Sequence, residues 1–414
     1  MPEKIPIALP PWVRDLPCHM VRLALFAVLA LSLLQLATSL LLEVGTLPAV
    51  RWAQRLSPLD HRPALLLTEL DPEHAEEHWR KIRQVHPRYT AAWIRLGLDQ
   101  ERRGDLREAE ATLRSAAEGD RLFPPRWALA NFYFRQGQTE MFWKQARLAA
   151  GVYEGSLTGV LALCLRVEQD PLKLLRRLEP RTAVARTELM RLLLRERRYD
   201  DAARVAELVA QSKARESGES LLAACEQASE AGETKAALGF WNAAVGHGLT
   251  AGRWLDPVRG ELLADGGFES LAGGRCFDWR IAKQDGVLWR AGRPGGVRVE
   301  LNGRQAAVLV VARVRMPVER GGRYRLRWRY SAEFTEGAAP LGWSMNGGEA
   351  AGEWRSQARG AEAEFEFEAG PRDLVEAALV SRPGRGWSRP EGRLQLEWVR
   401  VRRVEKAQSV SGHL

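Results

Sequence analysis

The stretch Tyr324-Arg-Leu-Arg-Trp-Arg-Tyr330 alternates strictly between large apolar or aromatic side chains and arginines. Because successive side chains of a β-strand point to opposite faces of the sheet, this period of two predicts a strand with one apolar and one charged face. The stretch Ala361-Glu-Ala-Glu-Phe-Glu-Phe-Glu368 alternates in the same way, with glutamates as the charged residues. Since unpaired charges are costly to bury, we expect both charged faces in solvent. Pairing of the two strands as antiparallel neighbours is one arrangement that would oppose their charges.

The period of two continues on both sides of these strands, from about residue 255 to residue 404. It predicts further strands near Val297–Leu301, Ala307–Arg315, Leu374–Val380 and Leu394–Val401. About eight short strands with glycine-rich turns, over some 150 residues, predict a β-sandwich of the jelly-roll type.

Upstream of this region the apolar period changes to that of helices. Trp93 and Trp127 lie 34 residues apart, which is the period of tetratricopeptide repeats. Gly97 and Ala109 allow close contact between the two helices of such a repeat, and Trp93 and Leu113 would fill the space between them. The pattern therefore predicts an α-solenoid over residues 72–248, in which Trp93 and Trp127 are equivalent core residues of consecutive helix pairs.

The segment Leu23–Leu42 contains 20 residues without a charge, enough for a helix to span the roughly 30 Å of hydrocarbon in a bilayer. We interpret it as an uncleaved membrane anchor. A signal peptide cleaved at Ala37-Thr38-Ser39 and a buried core helix are the alternatives. Basic residues flank both ends, so charge does not orient the span. The short preceding tail favours an N-terminus inside and the bulk of the chain outside the cytoplasmic membrane.

Composition agrees with a folded chain of several domains. The 414 residues are 45% hydrophobic and 27% charged, which excludes a mostly disordered or polytopic membrane protein. The net charge of +9 is spread among many acidic residues, and without a basic cluster we expect no nucleic-acid partner. The predicted fold class is multi-domain α + β. Its segments are a short cytoplasmic tail (1–22), a transmembrane helix (23–42), a linker (43–71), a tetratricopeptide-like helical solenoid (72–248), a jelly-roll β-sandwich (255–404) and a disordered tail (405–414).

Several segments carry a further pattern: Asp265-Gly-Gly-Phe-Glu269, Phe277-Asp-Trp-Arg-Ile281, Gly322-Arg-Tyr-Arg-Leu326 and Leu394-Gln-Leu-Glu-Trp-Val-Arg-Val401. Together they resemble a galactose-binding-like jelly roll, the fold of many carbohydrate-binding modules. The stretch Pro125-Arg-Trp-Ala-Leu-Ala-Asn-Phe-Tyr-Phe-Arg135 looks like the repeat region fused to such a domain in some bacterial membrane-anchored tetratricopeptide proteins. The resemblance leaves the ligand open, because the fold hosts sugar binders, protein binders and plain spacers.

The same resemblance implies one metal site. Related jelly rolls often hold a structural calcium between a glutamate of the first strand and an acidic residue of the last strand. Glu269 and Glu397 occupy those positions here, and carboxylates are suitable calcium ligands. A structural calcium is therefore the one cofactor that the resemblance suggests.

Tryptophans near loops of the C-terminal region are candidates for stacking on sugar rings. They are Trp289, Trp343, Trp354 and Trp387. Trp387 is the preferred one, because it lies in a loop with three arginines, Arg382, Arg385 and Arg389. Guanidinium groups there would bind the acidic group of a glycan through paired hydrogen bonds. For any one of these four tryptophans, core packing is the favoured interpretation, and for the Trp387 loop the alternative is a solvated hairpin.

One catalytic pattern occurs, His74-Ala-Glu-Glu-His78, which matches the H-x-x-E-H sequence of inverted zinc proteases with Glu77 as the acid. The pattern lacks an identifiable third ligand. It also follows Asp71-Pro72, a helix start at which acidic residues are expected in any case. We therefore expect no enzymatic activity, with a zinc-dependent hydrolase as the alternative.

The cysteines suggest no disulfide. Cys164 and Cys225 fall at small-residue positions of repeat helices, where we expect buried free thiols. Cys276 is expected to pack beside Phe277, and no pair has a spacing that demands a bridge.

These patterns predict a non-enzymatic, membrane-anchored scaffold of the bacterial envelope. The concave face of the solenoid would hold a protein partner, and the jelly roll would bind glycan or a second protein. The domain pairing suggests surface polysaccharide assembly or export as the setting. A structural spacer without a ligand is the alternative.

Overall fold

The structure is a computed structural model that describes residues 18–180, 182–270, 274–281, 283–292, 295–306, 308–336, 341–352, 354–382 and 388–404. The chain divides into two compact units, Met1–Gly155 and Ser156–Leu414. The boundary between the units falls inside the expected solenoid. The second unit therefore contains the last repeat helices together with the expected sandwich.

The first unit is helical. Its helices are α1 (Cys18–Val44), α2 (Leu47–Leu56), α3 (His61–Leu70), α4 (Ala75–Val85), α5 (Thr90–Arg103), α6 (Leu106–Gly119), α7 (Phe123–Arg135) and α8 (Thr139–Ala150). Within α1, the 23 residues Arg22–Val44 are long and apolar enough to cross a membrane, and no second such helix occurs in the described part of the chain. A signal sequence near an N-terminus has the same properties.

Residues 43–71, expected to be a linker, fold into α2 and α3 instead. Val50 of α2 and Leu67 of α3 are fully buried, so both helices contribute to the core of the first unit. Their prolines, Pro48 and Pro63, lie in the first turn of each helix. A proline is tolerated there because the N–H group that it lacks would have no helical partner.

The repeat pattern corresponds to helices packed in pairs, α3 with α4, α5 with α6 and α7 with α8. Gly97 of α5 faces Leu113 of α6 so closely that a Cβ atom on Gly97 would lie 2.6 Å from Leu113 Cγ. Gly104 ends α5 in the left-handed conformation with φ 93°, which only glycine adopts at little cost. The predicted close approach of these two helices is confirmed.

Trp93 and Trp127 occupy similar places near the starts of α5 and α7, but both are only half-buried. The prediction that the two residues are equivalent is therefore confirmed, but the prediction that they are fully buried core residues is wrong. Trp93 donates its indole N–H to the carbonyl oxygen of Pro87, 2.9 Å away, and the guanidinium of Arg83 lies 4.9 Å from its ring centroid. Smaller neighbours such as Ala92 fill the core instead.

The contact between α5 and α6 can be tested with two glycines. Gly97→Ala should lower the free energy of unfolding, because overpacking costs about 1–3 kcal/mol and the gain in helix propensity is at most about 1 kcal/mol. Gly119→Ala is the matched control, since Gly119 is also helical and a Cβ there meets nothing within 4 Å. It should leave the stability unchanged or slightly raised. Chemical denaturation of the full chain in detergent measures both, and equal effects would contradict the packing described.

The second unit begins with six further helices. They are α9 (Thr158–Val167), α10 (Pro171–Leu178), α11 (Val184–Arg195), α12 (Tyr199–Ala210), α13 (Arg215–Glu230) and α14 (Thr234–Gly246). The first two are short, with ten and eight residues. The side chain of Asp170 caps α10 by accepting hydrogen bonds from the N–H groups of Leu172 and Lys173.

The rest of the second unit is a sandwich of two antiparallel sheets, which confirms the predicted fold class. Its strands are β1 (Arg280–Ile281), β2 (Val287–Ala291), β3 (Val297–Asn302), β4 (Leu309–Pro317), β5 (Arg323–Phe334), β6 (Leu341–Met345), β7 (Ala350–Ala351), β8 (Gln357–Glu368), β9 (Leu374–Ser381) and β10 (Glu391–Arg403). One sheet has the order β1-β4-β9-β6-β7, and the other β2-β3-β10-β5-β8. Apolar side chains of both sheets, including Val299, Val311 and Trp328, form one core between them.

The two alternating strands are neighbours, and their charges are opposed as predicted. The cross-strand pairs are Arg323 with Glu368, Arg325 with Glu366, Arg327 with Glu364, and Arg329 with Glu362. The other face of β5 is buried, with Tyr324, Leu326 and Trp328 each 0% exposed. Exposed ion pairs contribute only about 0.2–1 kcal/mol each, so the charges define register more than they stabilise the sheet.

Candidate functional site

A disulfide joins the last repeat helices to the sandwich. Cys225 of α13 is bonded to Cys276, which precedes β1; the residues are 51 positions apart and their Cα atoms 5.9 Å apart. The expectation of free thiols at both positions is wrong, because only the tertiary packing of α13 against this segment brings the two cysteines together. Cys164 is free and buried, as predicted, and burial raises the pKa of its thiol to about 12.

Ionic and aromatic contacts surround this disulfide. The carboxylate of Glu226, next to Cys225 in α13, pairs with Arg275 at 3.2 Å and with Arg280 at 3.7 Å. Trp241 of α14 packs edge-on against Phe277, with ring centroids 5.9 Å apart. The last helices and the sandwich therefore share a covalent bond, a charge cluster and an aromatic contact, and belong to one compact unit.

Removal of the disulfide should destabilise this unit. A bridge across 51 residues is worth about 4 kcal/mol in the chain-entropy model, and about 2–4 kcal/mol in typical measurements. The Cys225→Ala/Cys276→Ala variant should unfold at a lower urea concentration than the native chain and should not respond to reductant. Thiol labelling of the unfolded native chain should find two additional thiols after reduction. An unchanged thiol count would refute the bridge.

Two carboxyl groups lie beside the disulfide segment with different roles. Asp265 accepts hydrogen bonds from the backbone N–H groups of Glu269 at 2.9 Å and Ser270 at 2.8 Å. Asp278 is almost fully buried nearby. Burial, reinforced by the negative charge of Asp265, raises the pKa of Asp278 to about 7. Asp278 is therefore protonated in much of the folded protein at neutral pH.

This raised pKa predicts how stability depends on pH. The folded chain keeps the proton on Asp278 up to about pH 7, whereas an unfolded chain loses it near 3.8. The stability contribution of the protonated form is therefore lost as pH rises through this window. Asp278→Asn, which stays neutral, should raise the melting temperature more at pH 8 than at pH 5. A gain that is equal at both pH values would contradict a raised pKa.

The sequence-predicted glycan loop is described only in part. Arg385 and Trp387 lie outside the described residues. Arg382 donates hydrogen bonds to the carbonyl oxygens of Gly348 at 3.2 Å and Gly347 at 3.4 Å, in the turn between β6 and β7. Arg389 is exposed. The convergence of these four side chains on a ligand stays a prediction.

The two glutamates suggested as calcium ligands form ion pairs with different arginines. Glu269 pairs with Arg253 at 3.3 Å, and Glu397 of β10 pairs with Arg329 of β5 at 3.1 Å. No group of three or more histidine, cysteine, aspartate or glutamate side chains suited to a metal occurs in the described part of the chain. The calcium suggestion gains no ligand set from this geometry.

The H-x-x-E-H pattern is located at a helix start. His74 ends a 3-10 turn, and α4 begins at Ala75, so the pattern is not contained in one helix. His74 and His78 both turn to the carboxylate of Asp71, with N–O distances of 2.9 and 3.5 Å. Hydrogen bonds from His74 and from Arg51 hold the pKa of Asp71 well below its usual range. The histidines thus contact a structural carboxylate that an arginine already neutralises.

Most of the candidate tryptophans belong to the core. Trp343 is 0% exposed, and half-buried Trp354 stacks on Trp328 at 5.3 Å between ring centroids. Trp289 is half-buried and packs against the same core. Core packing, the favoured interpretation, is what the structure shows for Trp343, because β6 turns this side chain between the sheets.

The structure also shows a groove that the sequence did not indicate. Two adjoining cavities of about 780 and 500 Å³ lie beside the C-terminal half of β10 and share Gly260 and Arg402; we call them the β10 groove. Five arginines line the larger cavity: Arg259, Arg320, Arg323, Arg402 and Arg403. The smaller cavity is lined by Arg253, Trp254, Trp398, Arg400 and Arg402 and also by two acidic residues, Glu261 and Glu269.

Trp254 is the exposed aromatic side chain of this groove, with 53% of its surface accessible. Helix α14 fixes the backbone on both sides of it. The indole N–H of Trp241 donates to the carbonyl oxygen of Arg253 at 3.1 Å, and Asn242 exchanges two hydrogen bonds of 2.9 Å with the backbone of Leu255. Trp254 is therefore an exposed aromatic side chain on an ordered backbone.

No family model and no curated protein matches the chain, so no catalytic family is indicated. Solved structures similar to parts of it include YrrB, a tetratricopeptide-repeat protein with an unusual peptide-binding site (15% identity, 48% of this chain and 92% of that chain, TM-score 0.21). Another is a carbohydrate-binding module of Cellvibrio mixtus lichenase 5A in complex with cellotriose (12% identity, 31% and 98%, TM-score 0.21).

A third similar structure is a complex bound to HypK-THB (16% identity, TM-score 0.27). The alignment covers 46% of this chain and 32% of that one, so this chain spans about a third of that structure's length. These likenesses are too weak to carry an argument about ligands. The helical repeats and the sandwich are architectures that fit a binding scaffold.

Proposed function

We propose that the chain is a membrane-anchored binding scaffold of the bacterial envelope, with its bulk outside the cytoplasmic membrane. The observation that carries this proposal is the Cys225–Cys276 disulfide, which follows a single apolar helix, α1. Disulfides persist in oxidising compartments and are rare in the cytosol. A structural bridge thus supports an extracytoplasmic location, which the charges flanking α1 leave open.

In this proposal the helical repeats hold a protein partner. Stacked helix pairs expose an extended surface, which is the usual binding surface of repeat proteins. In the first unit a cavity of about 570 Å³ is formed by α3, α4 and α5. Trp79, Tyr89 and Arg95 are among the side chains that line it, and they combine aromatic surface with charge. Such a combination is suited to a peptide segment.

The sandwich would contact glycan. The loop with Trp387, Arg382, Arg385 and Arg389 stays one proposed site, because an aromatic ring bracketed by guanidinium groups suits an acidic sugar. Surface polysaccharide assembly or export is the setting we propose. In that setting the anchor would hold both binding regions next to the membrane from which the polymer emerges.

Topology tests this proposal directly. Alkaline phosphatase, active only outside the cytoplasm, should be active when fused after Leu414 and inactive when fused after Arg22. The chain should stay in the membrane fraction after a carbonate wash. A soluble product that begins near Leu40 would show a cleaved signal peptide instead of an anchor. An inactive fusion after Leu414 would refute the proposed location.

A further inference from the structure

Resting on the proposed function, we propose that the β10 groove binds an anionic polysaccharide, with its arginines on carboxylate or phosphate groups and Trp254 against a sugar ring. The groove lies at the end of β10 remote from the loop that contains Trp387, since that loop precedes the first residue of β10. It is therefore a separate site from the one that the sequence suggested.

The first argument is an uncompensated charge on β10. Arg402 lies directly opposite Arg325, and Arg400 opposite Arg327, on the neighbouring strand β5. Like charges in directly opposite positions destabilise a sheet. On the other side of β5, each of its four arginines lies opposite a glutamate of β8. Like charges therefore do not face each other between these two strands.

The arginines of β5 have carboxylate partners, whereas the arginines opposite them on β10 have none in the described part of the chain. Arg325 and Arg327 are both paired with glutamates of β8, at 2.7 Å to Glu366 and 3.2 Å to Glu362. Arg402 has no hydrogen-bond or ion-pair partner among the residues that the structure describes, and the guanidinium of Arg400 lies over the ring of Trp398 at 4.5 Å. Folding gains nothing evident from positive charge at Arg402, and at Arg400 it gains only the cation–π contact with Trp398. Departures from local stability rules are expected where a ligand binds.

The second argument is the lining of the larger cavity. None of its ten lining residues is acidic. Arg320 and Arg323 each have an exposed carboxylate partner outside it, Asp373 and Glu366, both at 3.2 Å. Exposed pairs of this kind are weak, so these arginines remain available to a ligand. Guanidinium groups bind carboxylate and phosphate with two parallel hydrogen bonds, which suits a chain that carries repeated anionic groups.

The third argument selects a sugar chain as the anion. Trp254 offers an exposed ring at one end of the groove, and its backbone is already ordered, so stacking costs little conformational entropy. A polysaccharide presents apolar ring faces and charged groups in alternation along one chain. The groove presents an aromatic side chain followed by arginines, which matches that order.

The binding test uses the full chain in a neutral detergent and isothermal titration. The probes are oligogalacturonate, which carries carboxylates, its fully methyl-esterified form, which is the same chain without charge, and dextran phosphate, a sugar chain that carries phosphates. We expect binding of at least one anionic probe, and at least tenfold weaker binding of the ester than of oligogalacturonate if carboxylates are preferred. A preference for dextran phosphate would assign phosphate as the anion. Affinity should fall with salt.

Variants locate the site. Arg402→Gln, Arg400→Gln and Trp254→Ala should each raise Kd about tenfold, the effect of losing one charge-assisted or stacking contact. Arg393→Gln is the matched control: Arg393 is an exposed arginine of the same strand, opposite Glu300 and Glu333 and outside the groove. It should leave Kd unchanged. Arg402→Gln should also keep or raise the melting temperature, since it removes a like-charge pair.

Three outcomes would overturn the proposal: binding of neither anionic probe, equal affinity for oligogalacturonate and its ester with no binding of dextran phosphate, or tighter binding to anionic lipid vesicles than to either polymer. Loss of binding in Trp387→Ala with no effect of the groove variants would place the glycan on the other loop. That result would refute the groove and leave the proposed function standing. The alkaline phosphatase fusions test the proposed location and do not depend on the titrations. A failure of the proposed function can therefore be told apart from a failure of the β10 groove proposal.

Discussion

Four arginines on one face of β5 cannot be taken out of water without partners, and this constraint orients the whole strand. With the charged face held in solvent, Tyr324, Leu326 and Trp328 must enter the space between the sheets. The glutamates of β8 then oppose these arginines, and a slip of β8 by one residue is excluded because it would turn its glutamates into the core. The core of the sandwich is thus defined by the cost of desolvating its surface charges.

The same face explains why the β10 groove is unusual. β5 has neighbours on two sides, and only the β8 side supplies acidic residues throughout. On the β10 side, Glu397 pairs with Arg329, but further along the strand Arg400 and Arg402 lie opposite Arg327 and Arg325. The sheet therefore changes from a balanced to an unbalanced charge pattern within a few residues. Arg400 and Arg402, in the unbalanced part of the sheet, line the β10 groove together with Trp254.

Much of the fold could be predicted from the sequence, because alternation and helical period are local properties. The β5–β8 pair and the close approach of α5 and α6 at Gly97 follow from such patterns. The Cys225–Cys276 bridge could not be predicted, since nothing local in a separation of 51 residues brings two thiols together.

The candidate site was harder to predict than the fold. Val399-Arg400-Val401-Arg402 reads as an ordinary half-buried strand. Its excess charge becomes visible only when β5 is known to be its neighbour. For Trp343 the sequence favoured core packing but left a ligand contact open, because proximity to a turn in sequence does not reveal which way a short strand faces. The helices α2 and α3 were missed because each is only ten residues long and begins near a proline.

The disulfide also determines how this protein would carry mechanical load. A chain held in a membrane at one end and bound to a polymer through its sandwich is pulled along its length. Between α13 and the sandwich, tension would pass through the sulfur atoms of Cys225 and Cys276 and bypass the 50 intervening residues. Trp254 and the backbone that orients it lie within that bypassed segment. The aromatic part of the groove would thus keep its shape while the rest of the molecule is under strain.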